Sequence, residues 1–148
     1  MHVEVDQSGR FEYTRQNTVL AFSNGQAYTI LISARIKRLC EEKLRAKRVK
    51  PPRLQVLLFA TALFLLLKEH AELIALVTID REYYGNEALI KQHLINLFHR
   101  AGIPFAENRV RFALIGKESP AHKLALETFR GKRKPNWIIT EREILDEL

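Results

Sequence analysis

Apolar and polar positions alternate over residues 2–6, the period of a strand with one covered face, and Gln7-Ser8-Gly9 supplies turn chemistry to end or bend it. Two further apolar, β-branched runs, 18–22 and 27–32, flank Ser23-Asn24-Gly25-Gln26, and Asn-Gly between such runs predicts a hairpin. The chain therefore opens with three antiparallel strands. Ile36, Leu39, Cys40 and Leu44 then recur at helical spacing, with Pro51-Pro52 expected to end that helix. A second helix, about 52–70, is apolar nearly all round and should be buried on most sides. Residues 73–79 form an unbroken apolar run, as expected of a strand covered on both faces, and it ends in Asp80.

Beyond it the pattern returns to helical spacing over about 86–101, with Leu89, His93, Leu94, Leu97 and Phe98 on one face and Gly102 as the stop. A fifth strand is predicted at 110–115 and a helix at about 121–129. A short extended piece follows at 137–140, then a terminal helical turn at 141–148. The order predicts an α/β domain with a five-stranded mixed sheet: three antiparallel strands, then parallel strands, flanked by helices.

A length of 148 residues suits one domain with one core, and 47% hydrophobic with 28% charged residues excludes disorder. The net charge of +7 is localised. Residues 35–53 hold nine basic side chains against Glu41 and Glu42, a surplus equal to the charge of the whole chain. One cysteine, Cys40, excludes an internal disulfide framework and a Cys-based zinc ribbon. The N-terminus lacks the basic and apolar regions of a signal peptide, and the apolar segment 54–67 is shorter than the roughly 20 residues of a membrane span. A cytoplasmic protein with no membrane association is expected.

Ligands in open mixed sheets sit beyond the carboxyl ends of central parallel strands. Asp6 ends the first strand and Asp80 the fourth. As parallel neighbours they would place two carboxylates on one rim, a natural site for a hard divalent cation. Each alone could equally cap a turn or helix start.

At these residues the chain resembles the ribonuclease H-like superfamily, over most of its length. Val3-Glu4-Val5-Asp6-Gln7-Ser8-Gly9 is similar to that family's first-strand Asp followed by a Gly/Ser turn. Val77-Thr78-Ile79-Asp80-Arg81-Glu82-Tyr83 is similar to its apolar strand ending in Asp-x-x-Tyr. Pro52-Arg53-Leu54-Gln55-Val56-Leu57 resembles the start of its central helix, where Arg-x-Glu supplies a third acid. Ala121-His122-Lys123-Leu124-Ala125 resembles its last helix, where Ala-Asp-x-x-Ala supplies a fourth. Gln55 thus stands in place of Glu, and His122 in place of Asp.

The resemblance implies Mg²⁺- or Mn²⁺-dependent hydrolysis of phosphodiester bonds, with Asp6, Gln55, Asp80 and His122 as catalytic residues and Asp6, Asp80 and His122 as metal ligands. Two carboxylates lost weaken a second Mg²⁺. Imidazole favours Mn²⁺ or Zn²⁺, or His122 serves as a proton shuttle. Gln55, the one amide in an apolar run, either faces the site or bonds within the core. Glu82 and Glu118, close to the site elements but off the family's pattern, are substitutes for the missing acid. His93 is expected in or near the core, and His99 near a helix C-terminus.

Arg35, Arg38, Lys43, Arg45, Lys47, Arg48, Lys50 and Arg53, with Lys117 and Lys123, are expected to contact nucleic-acid phosphates, DNA and RNA being undistinguished. A solvated helix face is the plain alternative. Lys117, Lys123, Arg130, Lys132, Arg133 and Lys134 form a second basic region around His122, and the acidic tail 141–147 is expected to offset it and fold against it. Tyr83, Tyr84 and Trp137 are candidates for stacking on bases. The rival reading is a catalytically degenerate relative that binds nucleic acid or protein. A third is an assembly subunit whose apolar helix faces pair two protomers as a homodimer.

Overall fold

A computed structural model describes residues 1–148. The sheet has six strands rather than five: β1 (His2–Ser8), β2 (Thr18–Asn24), β3 (Gln26–Ile32), β4 (Leu76–Asp80), β5 (Val110–Ala113) and β6 (Trp137–Ile138). They lie in the order β5-β4-β1-β2-β3-β6. The extra strand is the short extended piece near the C-terminus, which pairs parallel with β3 through Ile30–Trp137 and Leu31–Ile138. The opening three strands are antiparallel as the pattern predicts, and Gly25 turns the β2–β3 hairpin at φ +86°. β4 runs parallel to β1, Val3 against Val77 and Val5 against Ile79, and β5 runs parallel to β4.

Alternation sorts the side chains of this sheet. Val3, Val5, Val77 and Ile79 face the main core, which takes in α1 (Ala34–Ala46), α2 (Arg53–Leu67) and α3 (Glu87–Arg100). Glu4, Asp6, Thr78 and Asp80 face the other way, towards the side on which α4 (Pro120–Phe129) lies against β1 and β2. There a small apolar cluster of Val19, Ala21 and Ala125 seats the helix.

Uniform hydrophobicity in α2 reflects burial: every residue from Leu54 to Leu67 is buried. With the 3₁₀ turn that follows it, Arg53–Leu73 is 21 residues long at a mean hydropathy of 1.5, with 83% of its apolar window buried inside the protein. It is a core helix of an α/β domain. Because its C-terminal end leads through that turn into β4, its N-terminus lies at the rim where β4 ends. This brings Gln55 to the same end of the molecule as Asp6 and Asp80.

Several boundaries differ from the pattern. α1 stops at Ala46, before the prolines. The chain turns out through Arg48 at φ +65°, where Val49 N–H bonds to Leu44 C=O and Arg48 N–H to Arg45 C=O, both at 2.9 Å. These two bonds make a Schellman motif, which closes the helix without proline. β4 begins at Leu76, because residues 68–73 are taken by the 3₁₀ turn. The tail helix α5 (Glu141–Leu145) lies against α1 and not against the basic loop near His122.

Candidate active site

β4 ends at Asp80, whereas β1 passes Asp6 and ends at Ser8, two residues later than the pattern predicts, held there by its pairing with β2. The parallel ladder between β1 and β4 stops at Val5–Ile79, so the next residues, Asp6 and Asp80, lie on one face where that ladder ends. Asp6 is buried; Oδ1 accepts the backbone N–H of Gln7 at 2.8 Å and Oδ2 accepts Nδ1–H of His122 at 2.6 Å. Asp80 Oδ1 accepts the Ile115 N–H at 3.0 Å, which ties the loop after β5 to the end of β4. Glu82 completes the group: one ligand atom from each of Asp6, Asp80 and Glu82 lies within 4.8 Å of the others.

Burial, then the charges of Asp6 and Asp80, push the Glu82 carboxyl up to about 8, with Arg10 working against them. Asp6 is also raised, first by burial, although the bonds from Gln7 and His122 oppose the rise. Crowded carboxyl groups out of water resist ionisation until a cation or donor offsets the charge. Arg10 supplies one such donor, with Nη1 on Glu82 at 3.0 Å, Nε on Glu12 at 3.1 Å and the guanidinium over the Tyr83 ring at 4.6 Å.

Comparison with known proteins finds no match for this chain among family models, curated proteins or solved structures.

The donor set is of the kind that could hold a hard divalent cation. It is all oxygen, it comes from three carboxyl groups, and it is buried enough that two of them are held above their ordinary values. His122 stands beside this group and not within it, since Nδ1 is bonded to Asp6 and the nitrogen left for other chemistry is Nε2. Asp6 thereby fixes the ring's tautomer, as a carboxylate beside a His commonly does.

Gln55 is buried in the first turn of α2 and makes no side-chain hydrogen bond to Asp6 or Asp80. It lies one turn before Phe59, whose ring meets Tyr83 at 5.1 Å, on the core side of the rim. Glu118 is 96% exposed and pairs with Lys123 at 3.6 Å, so of the two substitute acids the structure brings only Glu82 to the site. His93 is half-buried between α2 and α3, with burial pushing its pKa down, and His99 is exposed in the last turn of α3.

Three supporting residues escape the motif reading. Ser119 caps α4 by accepting the Ala121 N–H at 3.2 Å, and its Oγ donates to Glu4 at 2.8 Å. Glu4 thus places a carboxylate at the N-terminus of the helix that carries His122, where the helix dipole favours it. The strand alternation that puts Glu4 on the Asp6 face was the available signal, as was Ser119-Pro120 at a helix start. Nothing in the local sequence marks Arg10.

The basic segment is partly spoken for. Lys37 is fully buried, and its ammonium donates to the carbonyls of Arg10, Tyr13 and Gln16 at 3.1, 2.8 and 2.9 Å. Lys43 donates to Leu145 C=O at 2.6 Å, Lys47 to Leu148 C=O, and Arg38 to Thr14 C=O at 2.8 Å. Arg35 pairs with Glu141 at 3.6 Å and Arg45 with Glu41 at 3.8 Å. Arg48, Lys50 and Arg53 are exposed with no carboxylate partner, as is Lys117.

Proposed function

We propose that this chain is a ribonuclease H-like nucleic-acid hydrolase that cleaves phosphodiester bonds with Mg²⁺ or Mn²⁺ held by Asp6, Asp80 and Glu82. The observation that carries this reading is the meeting of those three carboxyl groups where the parallel ladder between β1 and β4 ends. The mixed sheet, antiparallel then parallel, is compatible with that fold family and supports the same reading. When bound, the cation supplies the Lewis-acid chemistry that phosphodiester hydrolysis needs. The chain's own contributions are distinct. Asp6 orients His122, His122 holds or moves a proton at Nε2, and Arg10 keeps Glu82 in place and offsets part of the acid charge.

Calorimetric titration with Mn²⁺ and Mn²⁺-dependent cleavage of RNA, DNA and hybrid strands test it together. Asp80→Asn is expected to lose both metal heat and cleavage. His122→Ala is expected to lose turnover, by about 10²-fold or more for a proton-transfer group, while keeping Mn²⁺ binding. Wild-type protein that gives neither heat nor cleavage would leave the rival reading, a nucleic-acid binder without catalysis. That rival is favoured by one observation: both Asp6 oxygens already have protein partners.

A further inference from the structure

Six large apolar side chains are exposed in the whole molecule, and three of them stand in the three loops that border the acid cluster. Tyr13 (54% exposed) lies between β1 and β2, Tyr84 (64%) between β4 and α3, and Leu114 (71%) between β5 and α4. All three loops lie at the carboxyl ends of the parallel strands β1, β4 and β5. Each loop also carries one exposed cation with no carboxylate partner: Arg15, Arg81 and Lys117 respectively.

These pairs of chemistries suit one kind of ligand. Unpaired bases present two open faces to aromatic rings, while the linked phosphates require dispersed positive charge. A duplex keeps its bases stacked on one another and offers such rings only its edges and backbone. Tyr84 is two residues from Glu82, and Tyr13 is three from Arg10, whose guanidinium holds Glu82 at 3.0 Å. Tyr13 is also held firmly from behind, its carbonyl accepting from buried Lys37 at 2.8 Å.

We propose that the rim of this site binds single-stranded nucleic acid, with bases stacking on Tyr84 and Tyr13 and phosphates paired with Arg81, Lys117 and Arg15. This deepens the hydrolase reading by naming its substrate class and rests on that reading only for placing the scissile bond. Binding itself is independent of metal.

Fluorescence anisotropy in EDTA, with oligo-dT, oligo-rU and a duplex of equal length, tests the proposal apart from cleavage. One or both single strands should bind more tightly than the duplex. Tyr84→Ala and Tyr13→Ala should each weaken strand binding by about fivefold or more, while Tyr84→Phe stays within about twofold of wild type. Arg81→Glu combined with Lys117→Glu should flatten the salt dependence. Circular dichroism of each exposed-site variant should match wild type. Duplex binding equal to or tighter than strand binding overturns the proposal. So does unchanged affinity in both Tyr→Ala variants, or no nucleic-acid binding at all, the outcome expected if this rim serves a protein partner. Strand binding without Mn²⁺ cleavage would instead remove the hydrolase reading and leave this one standing.

Discussion

Glu82 is the residue at which the site's electrostatics can be read from outside. Its carboxyl lies near 8, against an ordinary 4.5, because burial and the charges of Asp6 and Asp80 outweigh Arg10. The folded protein therefore holds a proton that the unfolded chain has already released. This contribution to stability is fully present below the unfolded value and is lost as pH rises through 8. The melting temperature of wild type should fall relative to Glu82→Gln between about pH 5 and pH 9, and saturating Mn²⁺ should raise it more at the upper end. A parallel pair of curves would deny the shift. Lys37 makes the opposite kind of case. Burial pulls its ammonium down to about 8, yet each of its three protons has a loop carbonyl. Lys37→Met should destabilise by about 2–4 kcal/mol in denaturant unfolding, since those carbonyls lose a charged donor. A run of nine basic residues in sequence cannot reveal that one is internal. Only the neighbouring apolar Ile36 and Cys40 hint at it. Asp80 is legible because it ends an unbroken apolar run, and Asp6 because it stands on the polar face of an alternating strand just before a turn signal. Glu82 is legible only by its nearness to Asp80, and Arg10 not at all, because its partner is set by tertiary packing.

At the scale of elements, periodicity identifies the helices and strands well and their ends poorly. The ends are decided by contacts that periodicity does not encode. α1 shows why: Pro51-Pro52 draws the eye, but the Schellman closure at Arg48 ends the helix first. A non-glycine residue in the left-handed region costs roughly 1–2 kcal/mol. Arg48→Gly should therefore stabilise by about 0.5–1 kcal/mol in denaturant unfolding, the left-handed relief being partly offset by the greater freedom of Gly in the unfolded chain. Gly9 is the converse position. It sits at φ +78°, and a Cβ there would lie 2.2 Å from the Asn17 carbonyl oxygen and 2.6 Å from Phe129 Cε1. Gly9→Ala should cost about 2–5 kcal/mol, from strain and overpacking together, and should disturb the seat of α4. The turn signal at Gly9 is plain in sequence, while its close approach to Phe129 is not.

For the molecule as a whole, the distribution of charge is the feature that folding changes most. As a linear pattern, the basic segment and acidic tail are distant blocks. In the fold the tail lies along α1 and the end of α3, with Glu141 on Arg35, Glu147 on Arg100, and terminal carbonyls on Lys43 and Lys47. Deleting residues 141–148 removes four acidic side chains and one basic one, and uncovers those lysines. The truncated protein should elute from heparin at higher salt than the full chain, and its melting temperature should fall because buried Ile144 is lost. Equal elution would mean that the tail screens nothing.

The pairing of β1 with β4 has a further consequence in time. Asp6 and His122 are separated by 116 positions, and the strand beside β1 belongs to the middle of the chain. During synthesis the N-terminal hairpin can form early, but β1 must wait with an open edge until residues 76–80 emerge. Long-range parallel pairing is slow to form and exposed to misassociation while it waits. The three acids therefore cannot meet until residues 80–82 have emerged, and His122 joins Asp6 only after some forty residues more.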